Sequence, residues 1–396
     1  MKFIHTSDWQ LGMTRWFLEA DGGEAQARFA EDRLQAIDRI GELATTSGAE
    51  FIVVAGDVFD SNTMPEQTFQ RALERIRSLP VPVYLLPGNH DALDASSIYH
   101  RAAFTELADD SVVVIRDSTP LSPRPGVELI GIPVRSKFHA DDEIGLTVSE
   151  LEATSGIRLI VGHGQVEGFG QDTGSLIDME AIESAIARGA IHYLALGDSH
   201  SSAQLDRSGR VWFSGAHETT AFDDRERDSG NVLIVEISEE AEDFGAVTVT
   251  PHPVGQWRFM ALDREFATFA DAEHFLEELD TIPAKTTAVV KYSLLGTVTL
   301  QESTNFEARL ATLSARFAAL FPRRSATPLT VVPTDGDIDE LGLTGYPLAA
   351  AQTLRKLSQG GTEAVATGIE NPQVAAADAL RLLARLAGTS LQESNK

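Results

Sequence analysis

Residues 51–60 read FIVVAGDVFD, an apolar run of strand length that stops at a glycine and then offers two carboxylates, Asp57 and Asp60. A short continuous apolar run bounded by turn residues is the pattern of a buried strand. Upstream, residues 25–46 carry Phe29 or Ala30, Leu34, Ile37, Ile40 and Leu43 at spacings of three to four, the stripe of an amphipathic helix. Downstream a second helix is expected, with Pro65 near its start and Phe69, Leu73, Ile76 and Leu79 on one face. The alternation repeats outward. MKFIHTSD opens the chain, and VPVYLLPGNHD (81–91), VELIGIP (127–133), IRLIVGHG (157–164) and IHYLALGDSH (191–200) are further short apolar runs ending in glycine or polar residues. Continuous apolar strands separated by helices predict sheets covered by helices, an α/β domain. VWFSG, NVLIVEI and AVTVTPH, within residues 211–252, follow with little helix between them and predict a second sheet packed on the first.

The pattern changes near Pro251–Gly255. From Trp257 the order reads strand, helix (Asp271–Leu279), strand (TAVVKYSLLG), helix (Asn305–Phe321), strand (PLTVVP), a compact β-α-β-α-β unit. Beyond residues 334–339 the chain turns Ala- and Leu-rich, with an amphipathic helix expected at Gln373–Ala387 carrying Ala376, Leu380, Leu383 and Ala387 along one face. Three domains are expected: 1–255, 256–335 and a helical tail at 336–396.

Composition narrows the chemistry. At 396 residues the chain suits two or three domains, and 43% hydrophobic residues suffice for large cores. There is no cysteine, so disulfides, thiolate zinc sites and cysteine nucleophiles are excluded together. No apolar run approaches the roughly 18–20 residues that span a bilayer, and His5 and Asp8 interrupt any signal-peptide core. A cytoplasmic setting is expected. The net charge of −27, from 59 acids against 32 bases, lacks the excess of base that grips a nucleic-acid backbone unaided. Were DNA the substrate, metal ions and a partner would have to supply much of the positive field.

Five of the apolar strands end in groups able to hold a metal: Asp8 with Gln10, Asp57 with Asp60, Asn89-His90-Asp91, His163, and Asp198 with His200. In open α/β sheets, ligands bind at the carboxyl ends of strands, so these five ends are expected to converge. A single such residue is ordinarily a cap or turn former. Phosphodiester hydrolysis needs a nucleophilic water at neutral pH and stabilisation of charge on the phosphoryl oxygens. Two cations about 3.5–4 Å apart supply both, and the pair needs a bridging carboxylate, for which Asp57 is the natural choice.

The series SDWQ, GDVFD, GNHD, GHG and GDSH, in this order, resembles the calcineurin-like metallophosphoesterases. IHTSDWQLG, together with SGAHET and NVLIVEI, is similar to the SbcD-type repair nucleases in particular. The resemblance covers residues 1–240 well, 256–335 less well and the tail least. It implies a two-sheet αββα sandwich as the nuclease domain, a small α+β capping domain over 256–335 and a C-terminal segment that docks a coiled-coil SbcC-like ATPase. It implies DNA as substrate, exo- and endonucleolytic cleavage in double-strand-break repair, and two divalent metal ions. It also implies a homodimer formed through the catalytic domain. Carried over by position, Asp8, Asp57 and His200 hold the first metal. Asp57 bridges to the second, which Asn89, His163 and Asp198 complete. His90 is then the catalytic histidine, and Asp91 orients its imidazole.

Two positions depart from the family pattern, which has D-x-H first and G-H-x-H last. Gln10 offers at most an amide oxygen, and Asp198 adds a third carboxylate. Harder oxygen donors favour Mn²⁺ or Mg²⁺, so a manganese-dependent site with a weaker first metal is expected. His5 is expected to be a packed core histidine and His217 part of a structural turn; His100, His139, His192, His252 and His274 are read as ordinary surface or half-buried residues. Arg15, Arg135 and Lys137 lie near the loops after strands, where DNA phosphates would pass. Two other functions remain open: a small-substrate phosphodiesterase or phosphatase using the same site, and a scaffold for DNA ends or the ATPase whose metal site has decayed.

Overall fold

A computed structural model describes residues 1–105, 111–136, 141–168, 176–240, 245–323, 329–331, 338, 343–360 and 371–393. Lys137 and His139 lie outside the described residues. The chain divides into two compact units, Met1–Phe259 and Met260–Lys396.

The first unit contains two six-stranded sheets. The first is built from β1 (Lys2–Thr6), β2 (Ile52–Val54), β3 (Val83–Leu85) and β4 (Val112–Val114), all parallel, with β11 (Asn231–Ile237) antiparallel beside β1 and β12 (Val247–Pro253) outside it. In the second sheet β6 (Val127–Gly131), β7 (Ile157–His163), β8 (Tyr193–Gly197) and β10 (Val211–Phe213) are parallel, edged by β5 (Leu121–Arg124) and β9 (Ala203–Gln204).

Strand alternation explains the layering. Phe3, Val53, Tyr84, Leu129, Val161 and Tyr193 point into one shared core between the sheets. Ile4, Ile52, Val54 and Leu85 point the other way, onto Leu34, Ile37, Ile40, Phe69 and Leu73 of α1 (Glu24–Ser47) and α2 (Glu66–Arg77). Ile130, Ile160, Leu194 and Leu196 pack outward on α4 (Glu143–Glu150) and α5 (Met179–Ala187). The short α3 (Ala102–Thr105) follows β3. The result is an α/β/β/α sandwich. Of the late runs expected to build the second sheet, VWFSG does join it as β10, but its centre is the middle strands β6, β7 and β8, and the runs β11 and β12 return to β1 in the first sheet. The short connection between β11 and β12 suits antiparallel pairing, which the register Asn231–Pro253 to Ile237–Val247 provides.

His5 joins the two sheets. It is fully buried on β1, with Nδ1 3.0 Å from the Tyr193 hydroxyl and Nε2 3.2 Å from the Leu196 carbonyl, both on β8. Burial pushes its pKa down from 6.5 to about 3, against a smaller lift from the Leu196 carbonyl. The native chain therefore keeps His5 neutral where the unfolded chain protonates it. Its contribution is full above pH 6.5 and is lost as pH falls toward 3, by about 1.4 kcal/mol per pH unit at most. Denaturant unfolding from pH 7 to pH 4 will show the stability gap between the wild type and His5→Asn narrowing; parallel curves would rule out His5 as the source.

In the second unit β13 (Arg258–Phe266), β14 (Ala288–Val298) and β15 (Ala319–Pro322) form a sheet in that order, and β16 (Thr330–Val331) pairs with β14. The helix expected at Asn305–Phe321 instead runs Leu300–Ser314 as α7, because Thr299 and Glu302 form a reciprocal capping box that starts it earlier. Phe317, Leu320 and Phe321, read as the end of that helix, lie in the turn and in β15. Phe275, Leu276 and Leu279 of α6 (Phe269–Thr281) share the unit's core with Leu300 and Phe306. Two further helices follow, α8 (Tyr346–Ser358) and α9 (Pro372–Glu393). Leu380 of α9 is buried in this same core with Ala351 of α8, Leu383 packs beside them, and Ala376 of α9 is also buried. The side chain of Ala387 lies outside the described residues. No helix among the described residues is long and apolar enough to cross a membrane.

Candidate metal centre

The C-terminal ends of parallel strands from both sheets come together. Asp8 follows β1, Gly56-Asp57 follows β2, Gly88-Asn89-His90 follows β3, His163 ends β7, and Asp198 and His200 follow β8. The backbone here is unusual. Among the described residues six non-glycine residues have positive φ, and four of them are Asp8 (52°), Gln10 (40°), Asp57 (54°) and Asp198 (97°). Such conformations cost roughly 1–3 kcal/mol each and cluster where function over-determines the geometry.

Glycines let the strand ends approach. A Cβ on Gly56 would lie 2.1 Å from His163 Nδ1, one on Gly88 2.2 Å from Asp57 Oδ1, and one on Gly197 2.0 Å from the Ala55 carbonyl oxygen. Gly56 also has φ of +92°, which side chains rarely adopt. Gly56→Ala will therefore displace His163 and weaken metal binding at least tenfold, read by titration with Mn²⁺; unchanged affinity would show that the contact is not needed.

Ligand atoms of Asp8, Asp57 and His163, all buried, lie within 4.8 Å of one another and could hold a metal ion. The His163 ring donates from Nδ1 to the Ala55 carbonyl at 2.8 Å. Its Nε2 is thereby held 3.5 Å from Asp57 Oδ1 and 3.6 Å from Asp198 Oδ1, buried and without a hydrogen bond. Asn89 donates from Nδ2 to Asp198 Oδ1 at 3.0 Å, which leaves its own Oδ1 buried and unpartnered. Gln10 Oε1 is orphaned in the same way, while its Nε2 lies 3.1 Å from His200 Nε2. The Asp198 amide faces both Asp8 carboxylate oxygens at 3.3 Å, and His200 Nε2 is 3.8 Å from Asp8 Oδ1. An orphaned buried polar atom costs about 1–3 kcal/mol. Three of them, on residues touching a cluster of carboxylates, suit a divalent cation that accepts their lone pairs.

The electrostatics agree. Burial pushes the Asp8 carboxyl up to about 6, against the pull of His200 and His163. Burial acts on Asp57 in the same sense, but His163 and His90 outweigh it and bring Asp57 down to about 2. Burial lowers His163, yet Asp57, Asp8 and Asp198 more than offset this and hold it well above the ordinary histidine value. The site thus concentrates negative charge that a proton or a cation must balance.

His90 stands at the rim, its side chain 39% exposed. Its amide donates to Asp57 Oδ1 at 2.9 Å, and Nδ1 is 3.0 Å from the Asp60 carbonyl. Asp91 does not orient this ring as expected. Its buried carboxylate accepts from the Gly88 amide (2.7 Å), the Phe59 amide (3.0 Å) and the Tyr99 hydroxyl (2.7 Å). The tight GNHD turn leaves amides that need a buried acceptor, so the side chain points back under the loop. The ring of His90 is held by the main chain of Asp60 instead.

A sequence profile of the calcineurin-like phosphoesterases matches residues 1–202, half of the chain and the segment that carries every group above. The chain belongs to this family. Members are metal-dependent phosphoesterases, and the donor set of Asp8, Asp57 and His163 accords with that chemistry. Among curated proteins this phosphoesterase is similar to the SbcD component of the nuclease SbcCD of Bacillus subtilis, 27% identical over 36% of this chain and 30% of the relative. It is also similar to the DNA double-strand break repair protein Mre11 of Archaeoglobus fulgidus, 35% identical over 25% of this chain and 22% of the relative. The chain thus spans less than a third of the length of these relatives. Among solved structures a dimetal phosphatase from Danio rerio aligns over 64% of this chain and 96% of its own, with 10% identity and a TM-score of 0.41.

The phosphoesterase site rests on residues to which the motifs do not point. Arg33 is 1% exposed and donates to the carbonyls of Trp9 and Glu218, fastening the SDWQ loop. Glu218 accepts from the Gln256, Trp257 and Thr219 amides. A charged residue set between Phe29 and Ile37 at spacings of four, on the apolar face of α1, is the available signal for Arg33. Thr220 and Glu226, behind His200, carry no such signal. His217 is buried with Nε2 3.0 Å from the Arg33 carbonyl, a structural position. Of the basic residues considered for phosphate contact, Arg15 donates from Nε to the Thr220 carbonyl at 2.9 Å, and the exposed Arg135 donates to the Arg116 carbonyl at 3.2 Å.

Proposed function

We propose that this phosphoesterase is a manganese-dependent DNA nuclease that cleaves DNA ends in double-strand-break repair, in the cytoplasm, together with a coiled-coil SbcC-like ATPase. The observation that carries the metal chemistry is the set of orphaned buried atoms, His163 Nε2, Asn89 Oδ1 and Gln10 Oε1, around Asp8, Asp57 and Asp198. The DNA reading rests on the relatives, one named as part of a nuclease and the other as a double-strand break repair protein. In this reading Asp8, Gln10, Asp57 and His200 hold one divalent ion, and Asp57, Asn89, His163 and Asp198 hold the other. When bound, the pair supplies Lewis acidity to the phosphoryl oxygens and acidifies a water. The chain's own residues do the rest. Asp57 is fixed by the His90 amide, and His163 is fixed by the Ala55 carbonyl. His90, at the rim and held through Nδ1, directs Nε2 toward the site and serves the leaving oxygen as proton donor. Residues 256–335 act as a capping domain, residues 336–396 engage the ATPase, and catalytic domains pair as a homodimer.

The net charge of −27 favours one competing reading, a phosphodiesterase for small substrates that needs no basic track. End-labelled duplex DNA and a small chromogenic phosphodiester, each with Mn²⁺, separate the two. Cleavage of DNA that disappears in His90→Ala is the expected result. Turnover of the small ester alone, with DNA untouched even when the ATPase is added, would overturn the nuclease reading.

A further inference from the structure

Behind His200 lie two buried polar residues, Thr220 and Glu226, 1% and 5% exposed. The Thr220 hydroxyl is 2.5 Å from His200 Nδ1 and 2.5 Å from Glu226 Oε2. Glu226 Oε1 accepts the Thr220 amide at 2.9 Å, and Oε2 also stands 3.5 Å from His200 Nδ1. The Thr220 carbonyl accepts from Arg15 Nε at 2.9 Å, so every polar atom of Thr220 is engaged. A hydroxyl has one proton. Donated to the Glu226 carboxylate, it leaves the oxygen to accept from His200, which places the ring proton on Nδ1. The lone pair then belongs to Nε2, the atom that faces Asp8 Oδ1 at 3.8 Å and the Gln10 amide nitrogen at 3.1 Å.

The two histidines of the centre are oriented by different means. His163 donates to a main-chain carbonyl, which no substitution removes, whereas His200 relies on two side chains. We propose that Thr220 and Glu226 are positioning residues that fix the Nδ1–H tautomer and the ring orientation of His200, so that its Nε2 is presented to one metal of the pair. The proposal rests on the metal-centre reading above. A hydrogen-bonded oxygen behind a metal-binding imidazole typically governs affinity by about 10–100-fold. At this position the effect falls on the metal served by Asp8 and His200, where Gln10 offers only an amide.

The test uses the full-length chain and Thr220→Val, which keeps the volume and removes the hydroxyl. Long-range ¹H–¹⁵N correlation in the metal-free protein reads the His200 tautomer, and calorimetric titration with Mn²⁺ reads both sites. At alkaline pH, where the ring is neutral, the wild type is expected to show Nδ1–H alone. Thr220→Val is expected to show a tautomer mixture, with one Mn²⁺ site weakened about 10–100-fold, the other unchanged, and recovery in Thr220→Ser. Wild-type tautomer and affinities in Thr220→Val would overturn the proposal, as would failure of Thr220→Ser to restore them. Should Thr220→Val not fold, the isosteric Glu226→Gln gives the same two readouts. A wild type that binds no Mn²⁺ would instead contradict the metal centre, while the tautomer of His200 would still decide the role of Thr220.

Discussion

Asp57→Asn will cost the protein its metal pair and lower phosphodiester hydrolysis by roughly a thousandfold or more, with the fold intact. The size follows from the several kcal/mol of transition-state stabilisation that a metal supplies, at tenfold per 1.36 kcal/mol. Asp57 links His163 of one proposed metal position to Asp8 of the other. It lies 3.5 Å from His163 Nε2, takes the His90 amide at 2.9 Å, and shares the buried cluster with Asp8. The amide of asparagine keeps an oxygen for the His90 N–H, so the GNHD turn survives and the change isolates charge from shape. Titration with Mn²⁺ and the rate on a chromogenic phosphodiester are the two readings. Activity within tenfold of the wild type, with metal still bound, would remove Asp57 from the centre of the account.

His90→Ala will behave differently. It will lower kcat by about 10²–10⁴, the range for a positioned proton donor, and leave both metals bound. The geometry makes this separation specific. His90 Nδ1 is committed to the Asp60 carbonyl, and the link to Asp57 runs through the main-chain amide, which alanine retains. Rate and metal content measured on the same preparation decide it. Loss of one metal together with the rate would make His90 a ligand instead of a proton donor. Retention of the rate would leave it no part in the chemistry.

The sequence makes some of this architecture legible and conceals the rest for physical reasons. Buried parallel strands are apolar on both faces, so FIVV, VYLL and IRLIVGH announce themselves, and the polar groups at their ends mark the site. Which sheet a strand joins depends on long-range pairing, and nothing local to NVLIVEI specifies β1 as its neighbour. The role of Asp91 is concealed because adjacency in GNHD suggests contact, whereas the turn sends its carboxylate inward to Gly88, Phe59 and Tyr99. Thr220 and Glu226 lie in a loop whose only pattern is polarity, and their meaning appears once His200 is seen above them. In the second unit, the Thr299–Glu302 capping box is present in the sequence and outranks the apolar spacing that places the helix later. Four left-handed residues, Asp8, Gln10, Asp57 and Asp198, leave no trace in composition, because each is a polar residue found in many harmless places.

The most direct measurement is anomalous diffraction from crystals of the full chain grown with Mn²⁺. Two manganese peaks about 3.5–4 Å apart are expected, with Asp57 between them. One would lie against Asp8 and His200, the other against Asn89, His163 and Asp198. Absence of manganese at Asp57 under saturating metal, with these side chains well ordered, would contradict the two-metal centre.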